Sequence, residues 1–454
     1  MTVLPLHPCP IEKAVLFLPG RLHLDTGERV TLSFGSATVT CTAIAHSRDE
    51  LRLSSSLWTA LKIPFASRVH LHIHGSSIAI GPLAGIFTSH VGYSPIRPAG
   101  EHSSFFGKLL SAARPVGSYY FLFGPSQIDP QHQTIQGYFH DGSRWNKHVV
   151  PLPSVIYNQL PTRKTENSPS CQKALDLFQN EWKIPVFNPS FFNKQEIFEL
   201  LSGDVETAHY LPLTLSNSDV DGIEQMLNTY PMIFIKPVNG SFGRGINAVS
   251  KVKTGHYLCR FQEGPRLLSL QFDRLTDLLH SRKLLPQKEK VLVQQGIDLI
   301  TIGPSPVDFR IHSNKNRDGQ WEISAIAAKI AGPQALTTHL SYGGEAKPAE
   351  DVIKLAGLPS PLIKELKEAA LKLSKKIDAK TEGNIGEIGF DLGIDKQGRI
   401  WLIEANSRPG KSLFSHSLFR KEDYVTRRLP LQYSIYLAEQ SFLSKPAALP
   451  LHSN

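Results

Sequence analysis

Apolar and polar positions alternate in short runs along the first part of the chain. From about residue 11 to 87 such runs occupy 14–18, 29–34, 37–45, 50–54, 68–75 and 77–87, punctuated by Gly, Ser and Asp. A two-residue period with β-branched residues predicts strands, and several closely spaced strands predict a small barrel or sandwich. The one helix candidate in this part is Ser56–Lys62.

From about Ala84 the pattern changes to alternating helix and strand. Phe105–Ala113 and Cys171–Glu181 read as helices. Gly117–Phe123 and Val149–Tyr157 read as strands, the latter after a polar loop, and Pro185–Pro189 as a short strand. That alternation predicts an α/β layer. From about 190 to 440 helices are expected at Gln195–Leu201 and Val220–Asn228, and strands at Met232–Val238 and Ile246–Val252. Arg266–Leu279 reads as strand then helix, and Lys290–Gln295 as a strand. Val307–Asn314 and Trp321–Ile330 read as an antiparallel pair. Pro361–Thr381 carries Leu362, Leu366, Ala369, Ala370, Leu373 and Ile377 on one helical stripe. Tyr424–Phe442 is the expected closing helix, and 443–454 an expected frayed tail.

A hairpin precedes that closing helix. Gly386–Asp391 and Ile400–Asn406 flank a Gly-containing turn, and folding about Gln397 and Gly398 sets Asp391 opposite Glu404. Glu404 and Asn406, two apart, share a face. Two carboxylates and an amide oxygen then converge, a hard-oxygen set suited to Mg²⁺ when a substrate phosphate completes the shell. The alternative is a solvated hairpin face, which suits such apolar strands poorly.

Upstream, Lys236 leads into Gly240-Ser241-Phe-Gly243-Arg244-Gly245. Three glycines let backbone N–H groups approach a phosphate. The pattern lacks the GK[ST] of a Walker loop, and its plain alternative is a hairpin with a surface lysine. Gln294-Gln295-Gly296-Ile297 ends a strand whose backbone can meet an adenine edge or merely enter a turn. Asp308, Arg310 and His312 share a strand face, either a solvated one or one where Arg310 meets phosphate charge. Lys329 ends the partner strand as a second cation. Ser341–Glu345 is a candidate closing loop, or a plain one. Arg408 reaches a phosphate or an acidic substrate, or is a turn residue. His70, His72 and His74 share a face, more readily a half-exposed strand than a metal site.

Composition narrows the classes. The 454 residues suit roughly two to four domains. A formal net charge of +9 fits an anionic ligand, and with no long Lys/Arg run it does not favour specific nucleic-acid binding. Four scattered cysteines without CxxC spacing argue against a disulfide framework or a zinc site and fit a reducing compartment. The N-terminus has no long apolar signal core, and no stretch is long and apolar enough to span a membrane, so a soluble cytoplasmic protein is expected.

Lys236, the glycine loop, Gln295-Gly-Ile, Asp308-Phe-Arg310 and Asp391…Glu404-Ala-Asn406 occur in the order seen in the ATP-grasp superfamily. Residues 85–89, 151–158, 187–194 and 210–214 further resemble the YheC/YheD family of endospore coat-associated proteins. The resemblance implies an ATP-grasp fold over about 190–443, two α+β subdomains clasping ATP. A small α/β layer over 85–189 and a β-rich barrel-like domain over 1–84 would precede it. It implies phosphate contacts from Lys236 and the glycine loop, adenine contacts near Gln295 and Ile297, Mg²⁺ on Asp391, Glu404 and Asn406, and transition-state charge on Arg310. Lys194 matches the superfamily's first nucleotide lysine at loose spacing. The implied reaction activates a carboxylate as an acylphosphate for attack by an amine or thiol. The positive charge hints at an acidic substrate such as a peptide or cell-wall precursor. Two rivals stay open: a spore-coat interaction protein with a vestigial ATP fold, and a phosphotransferase.

Overall fold

The computed structural model describes residues 2–22, 27–92, 94–216, 218–238, 245–252, 255–264, 266–284, 291–333 and 335–445. The early period-2 runs close into a barrel together with Thr2–Cys9, a strand the sequence reading did not include, and the run 77–87 divides, with Ser77–Gly81 in the barrel and Leu83–Phe87 in the next sheet. Its strand order is Thr2–Cys9, Leu51–Ser54, Val15–Pro19, Ala37–His46, Arg29–Phe34, Ser77–Gly81 and Ser67–His74, which pairs back onto the first. Alternate residues Leu4, Leu6, Val30, Leu32, Ile78 and Ile80 point inward and are buried. The expected helix appears as Ser55–Ala60, with the Ser54 hydroxyl accepting from the Leu57 N–H. The barrel's core continues without a break into Leu83, Tyr119, Phe121 and Phe123 of the next sheet.

That second sheet is built around the parallel strands Leu83–Phe87, Tyr119–Phe123, Val155–Asn158 and Val186–Phe187, with an antiparallel extension at Thr134–His140 and Trp145–Pro151. The single strand expected over Val149–Tyr157 is therefore two. Pro151 and Pro153 break the run, because proline cannot donate to a ladder. The first half pairs antiparallel with Thr134–His140 and the second runs parallel to Leu83–Phe87. Thr134–His140 falls in the stretch expected to be a polar loop. Its Gly137 lies against the Phe121 ring, which a Cβ would approach to 2.6 Å. The helix at Pro169–Asp176 runs on as a π turn over Leu177–Glu181.

Two further sheets position the site. One is antiparallel, in the order Thr214–Ser216, Val291–Gln295, Ile233–Pro237, Asn247–Lys251, Tyr257–Glu263, Arg266–Phe272. Tyr257–Glu263 has no counterpart in the sequence reading, although Tyr257, Cys259 and Phe261 alternate inward as a strand should. Helices Val220–Thr229 and Leu275–Ser281 cover one face through Ile223, Met226, Leu227, Leu278 and Leu279. The other sheet runs Glu345–Pro348, Trp321–Ile330, Ser305–Lys315, Glu387–Ile394, Ile400–Asn406. Leu362–Lys380 buries the expected stripe, plus Ser374, against Phe309, Ile311, Phe390 and Leu392. Each fully buried Leu, Ile or Phe among these contributes about 1.5–3 kcal/mol. The closing helix, Arg420–Leu443, begins four residues earlier than the Tyr424 expected.

The triple histidine run docks the barrel. His72 Nδ1 lies 3.3 Å from Glu439, which also takes Arg317 at 2.8 Å. His70 Nε2 is 2.8 Å from the Val116 carbonyl, and the His72 and His74 rings lie against Phe442. Among the described residues no cluster of three or more His, Cys, Asp or Glu is arranged to hold a metal.

Candidate functional site between two sheets

Alternation places the apolar residues of Ser305–Lys315 and Glu387–Ile394 on the helix-covered face, so Asp308, Arg310, His312 and Asp391 emerge on the other. Arg310 pairs directly with Asp391 across the ladder, and Asp391 with Glu404. The second pairing depends on a bulge. From Ile394↔Ile400 to Leu392↔Leu402 the hairpin is symmetric about Gln397, and strict continuation would set Asp391 opposite Ile403. The register shifts between Asp391 and Leu392, Ile403 is the extra residue, and Glu404 and Asn406 come opposite Asp391 and Gly389.

The carboxylates sit in a dense ion network. Arg310 grips Asp391 with two parallel bonds, Nε–Oδ1 2.8 Å and Nη2–Oδ2 3.0 Å. Lys329 Nζ bridges Asp391 Oδ1 at 2.9 Å and Asp308 Oδ1 at 3.0 Å. The Thr338 hydroxyl donates to Asp308 Oδ2. Burial works against ionisation of Asp391, but Arg310 and Lys329 outweigh it and hold the carboxyl well below its usual range. Asp308 shares only Lys329, and there burial prevails and raises the carboxyl. Glu404 projects from the neighbouring strand and is met by Lys194 Nζ at 3.2 Å.

Lys236 approaches from the other sheet. Ile233 and Ile235 enter that sheet's core, so Lys236 and Gln294 take the opposite face. Lys236 Nζ donates to Gln294 Oε1 at 2.6 Å and lies 6.0 Å over the Phe198 ring. Burial, reinforced by the Lys194 charge and opposed by Glu404, lowers this ammonium to about 8. Gln294 Nε2 donates to the Thr214 hydroxyl at 3.0 Å. Gln295 closes its strand against Leu213, and the Gly296 N–H donates to the Met232 carbonyl at 2.9 Å. A Cβ on Gly296 would meet that carbonyl oxygen at 2.7 Å. Ile297 is half-buried just beyond the strand.

Lys194, Lys236, Arg310, Lys329, Asp391 and Glu404 thus form one electrostatic neighbourhood, with Asn406 on the same strand as Glu404. Gly240, Ser241, Gly243 and Arg244 lie outside the described residues. Gly245 is described and adopts φ +74°, a conformation that favours glycine. Arg408 is employed elsewhere. Its guanidinium donates to the carbonyls of Asn188, Leu160 and Pro189 at 3.2, 3.3 and 3.0 Å, and to Glu166 at 2.5 Å. Its expected contact with a phosphate or acidic substrate would require giving up these bonds. Leu340–Tyr342, which overlaps the start of the candidate closing loop, forms a single 3₁₀ turn, and a Cβ on Gly332 would lie 2.3 Å from the Tyr342 carbonyl oxygen.

Sequence reasoning did not identify three features. Thr338 anchors to Asp308. Arg163 senses both Glu166 and Glu404. A fully buried network joins Lys411 Nζ to Glu387 at 2.7 Å and to Tyr157 Oη at 3.1 Å, while the Tyr157 hydroxyl donates to Glu387 at 2.5 Å. Thr338 is 30 residues from Asp308, and Lys411 is 24 from Glu387 and 254 from Tyr157, so no local pattern marks these pairs.

Two carboxylates and an amide oxygen are the donor types that a hard divalent cation takes when it also carries substrate phosphates. With Asp308, Asp391 and Glu404 set against Lys194, Lys236, Arg310 and Lys329, the surroundings carry a positive excess that suits a polyphosphate.

Residues 183–437 match a family model described as YheC/D like ATP-grasp. Over 437 residues the chain is 38% identical to the endospore coat-associated protein YheD of Bacillus subtilis (strain 168), covering 96% of each chain. It is 23% identical over 359 residues to the endospore coat-associated protein YheC of the same organism, covering 78% of this chain and 97% of YheC. Among solved structures, D-alanyl-alanine synthetase A from Vibrio cholerae O1 biovar eltor aligns with a TM-score of 0.44 at 13% identity, over 78% of this chain and 98% of that one.

Proposed function

The chain belongs to the YheC/YheD family of ATP-grasp proteins, and from that premise we propose that it is an ATP- and Mg²⁺-dependent ligase joining a carboxylate to an amine or thiol. The observation that carries this reading is the bulged hairpin, which sets Asp391 opposite Glu404 with Asn406 two residues on, in a field of four cations.

In the proposed reaction a substrate carboxylate oxygen bonds to the γ-phosphorus of ATP, the bond to the bridging oxygen breaks, and ADP leaves. The amine or thiol then attacks the acyl carbon, phosphate departs with the C–O electron pair, and the nucleophile gives up its proton. Lys236 and the 240–245 loop would hold the phosphates, with Lys194 beside them. Gln294, Gln295, Gly296 and Ile297 would face the adenine. Arg310 and Lys329 would receive charge on the transferred group. Mg²⁺ held by Asp391, Glu404 and Asn406 would neutralise phosphate charge. The names of the two relatives support association with the endospore coat or envelope of a spore-forming bacterium.

A second reading, a coat-associated interaction protein with a vestigial nucleotide site, draws on the engagement of both Asp391 oxygens by Arg310 and Lys329. Isothermal titration of ATP with and without Mg²⁺, on the wild type and Glu404→Ala, separates the two. The ligase reading expects micromolar, Mg²⁺-dependent binding that the substitution weakens, followed by acceptor-dependent ADP release. No binding to the folded wild type would leave the coat-protein reading.

A further inference from the structure

A groove of about 910 Å³ runs between helix Ser103–Ala113, the first turns of Arg420–Leu443, and the hairpin tip joining Thr134–His140 to Trp145–Pro151. None of the residues proposed above for nucleotide, metal or phosphoryl chemistry lines it. Its floor is made of small residues. Ser104, Gly107 and Ser111 recur at helical spacing, and a Cβ on Gly107 would already touch the His140 ring at 3.4 Å. Apolar and aromatic side chains form its walls and rim: Trp145, Tyr424 at 43% exposure, and Ile96 at 81%.

The charge is one-sided. Arg97, Lys108 and Arg420 line the groove, and none of them forms an ion pair among the described residues. Of the two lining acids, Asp423 is already taken by Arg427, through Nη2 at 2.7 Å and Nε at 3.0 Å. Glu101 alone is left to answer the three cations. Arg427 also lines the groove at 3% exposure, and its Nη1 is buried without an acceptor.

We propose that this groove binds an acidic segment of a partner polypeptide. Carboxylates would meet Arg97, Lys108 and Arg420, and an aromatic or aliphatic side chain would pack among Trp145, Tyr424 and Ile96. The groove is open to solvent rather than enclosed, which suits an extended chain better than a buried small molecule. Aromatic residues and arginine around a small-residue floor are the usual anchors of a protein interface. Complementary charge then sets the sign of the partner.

The test uses the full chain and a fluorescein-labelled copolymer of glutamate and tyrosine, followed by fluorescence anisotropy. Lys108→Glu with Arg420→Glu is expected to weaken binding about tenfold or more. Arg420→Lys retains it and confirms that the position tolerates change. Lys164→Glu with Lys173→Glu, an equal change of charge in a different cavity, leaves binding within about twofold of the wild type. Trp145→Ala weakens the copolymer but not poly-L-glutamate. Equal losses in both charge-reversed doubles would show diffuse attraction to a basic protein and overturn the proposal. Full competition by free glutamate at the same residue concentration would also overturn it, in favour of a small-anion site.

Discussion

Lys236 shows how a single residue acquires its chemistry from surroundings it does not choose. Its ammonium is buried, has Lys194 nearby, and is lowered to about 8. Below that pH it is charged and available to phosphate; above it the unliganded protein holds a neutral amine. ATP affinity is therefore expected to be highest below pH 8 and to fall as pH rises through it, since binding must take up a proton. Titration calorimetry in buffers of different ionisation heat measures that uptake, and Lys236→Met should abolish both the slope and most of the binding. The stability effect has the opposite sign. Because the folded pKa is depressed, the unfolded chain binds more protons between about pH 8 and 10.5, so Lys236 disfavours folding at neutral pH and that penalty is relieved as pH rises through this window.

At the scale of elements, the hairpin and the segment laid over it decide the site's shape. Gly389 pairs with Asn406, and a Cβ there would lie 2.4 Å from Pro409 Cβ. Both partners are stiff, one a central strand and the other a proline ring. Gly389→Ala is expected to cost about 1–3 kcal/mol by overpacking. It should also weaken Mg²⁺-dependent ATP binding by displacing Asn406, while binding without Mg²⁺ changes less. Urea unfolding and the paired titrations check the two parts separately. His312, opposite Gly389, is fully buried with both ring nitrogens unpartnered and meets Phe414 edge-on at 4.9 Å. Burial, with Arg310 and Lys411 nearby, keeps it neutral.

Across the whole molecule, polar seams weld the parallel sheet to the site sheet. Glu387 leads the strand that carries Asp391, and it is met by Lys411, Tyr157 and Gln159. Asn188 adds side-chain bonds to the backbone of Gly386, Glu387 and Ser407. Removing one member of a buried pair costs about 3–5 kcal/mol because the other charge is stranded. Lys411→Met is expected near the lower end, since Glu387 keeps the Tyr157 and Gln159 donors, and adding Glu387→Gln should recover part of the loss. Equilibrium denaturation of the single and double variants tests this. The barrel is joined as firmly, through a core shared with Phe121 and Phe123 and through His72, Glu439 and Arg317.

Much of this was legible in the chain itself. Period-2 runs marked every barrel strand but Thr2–Cys9, the stripe from Leu362 to Ile377 determined the helix beneath the site, and the alternation Glu404-Ala-Asn406 put these two residues on one face. These are local properties, dictated by side-chain direction within one element. What tertiary structure decided is of another kind. The Ile403 bulge was invisible in the pattern, yet it brings Glu404 rather than Ile403 opposite Asp391. The run at 149–157 was split because its two halves found different partner strands. Arg408 was drawn into a backbone latch with Glu166, and Lys411 into a pair with Glu387. Each outcome depends on which distant groups are left to satisfy a buried charge or an open strand edge, and only the assembled fold specifies that.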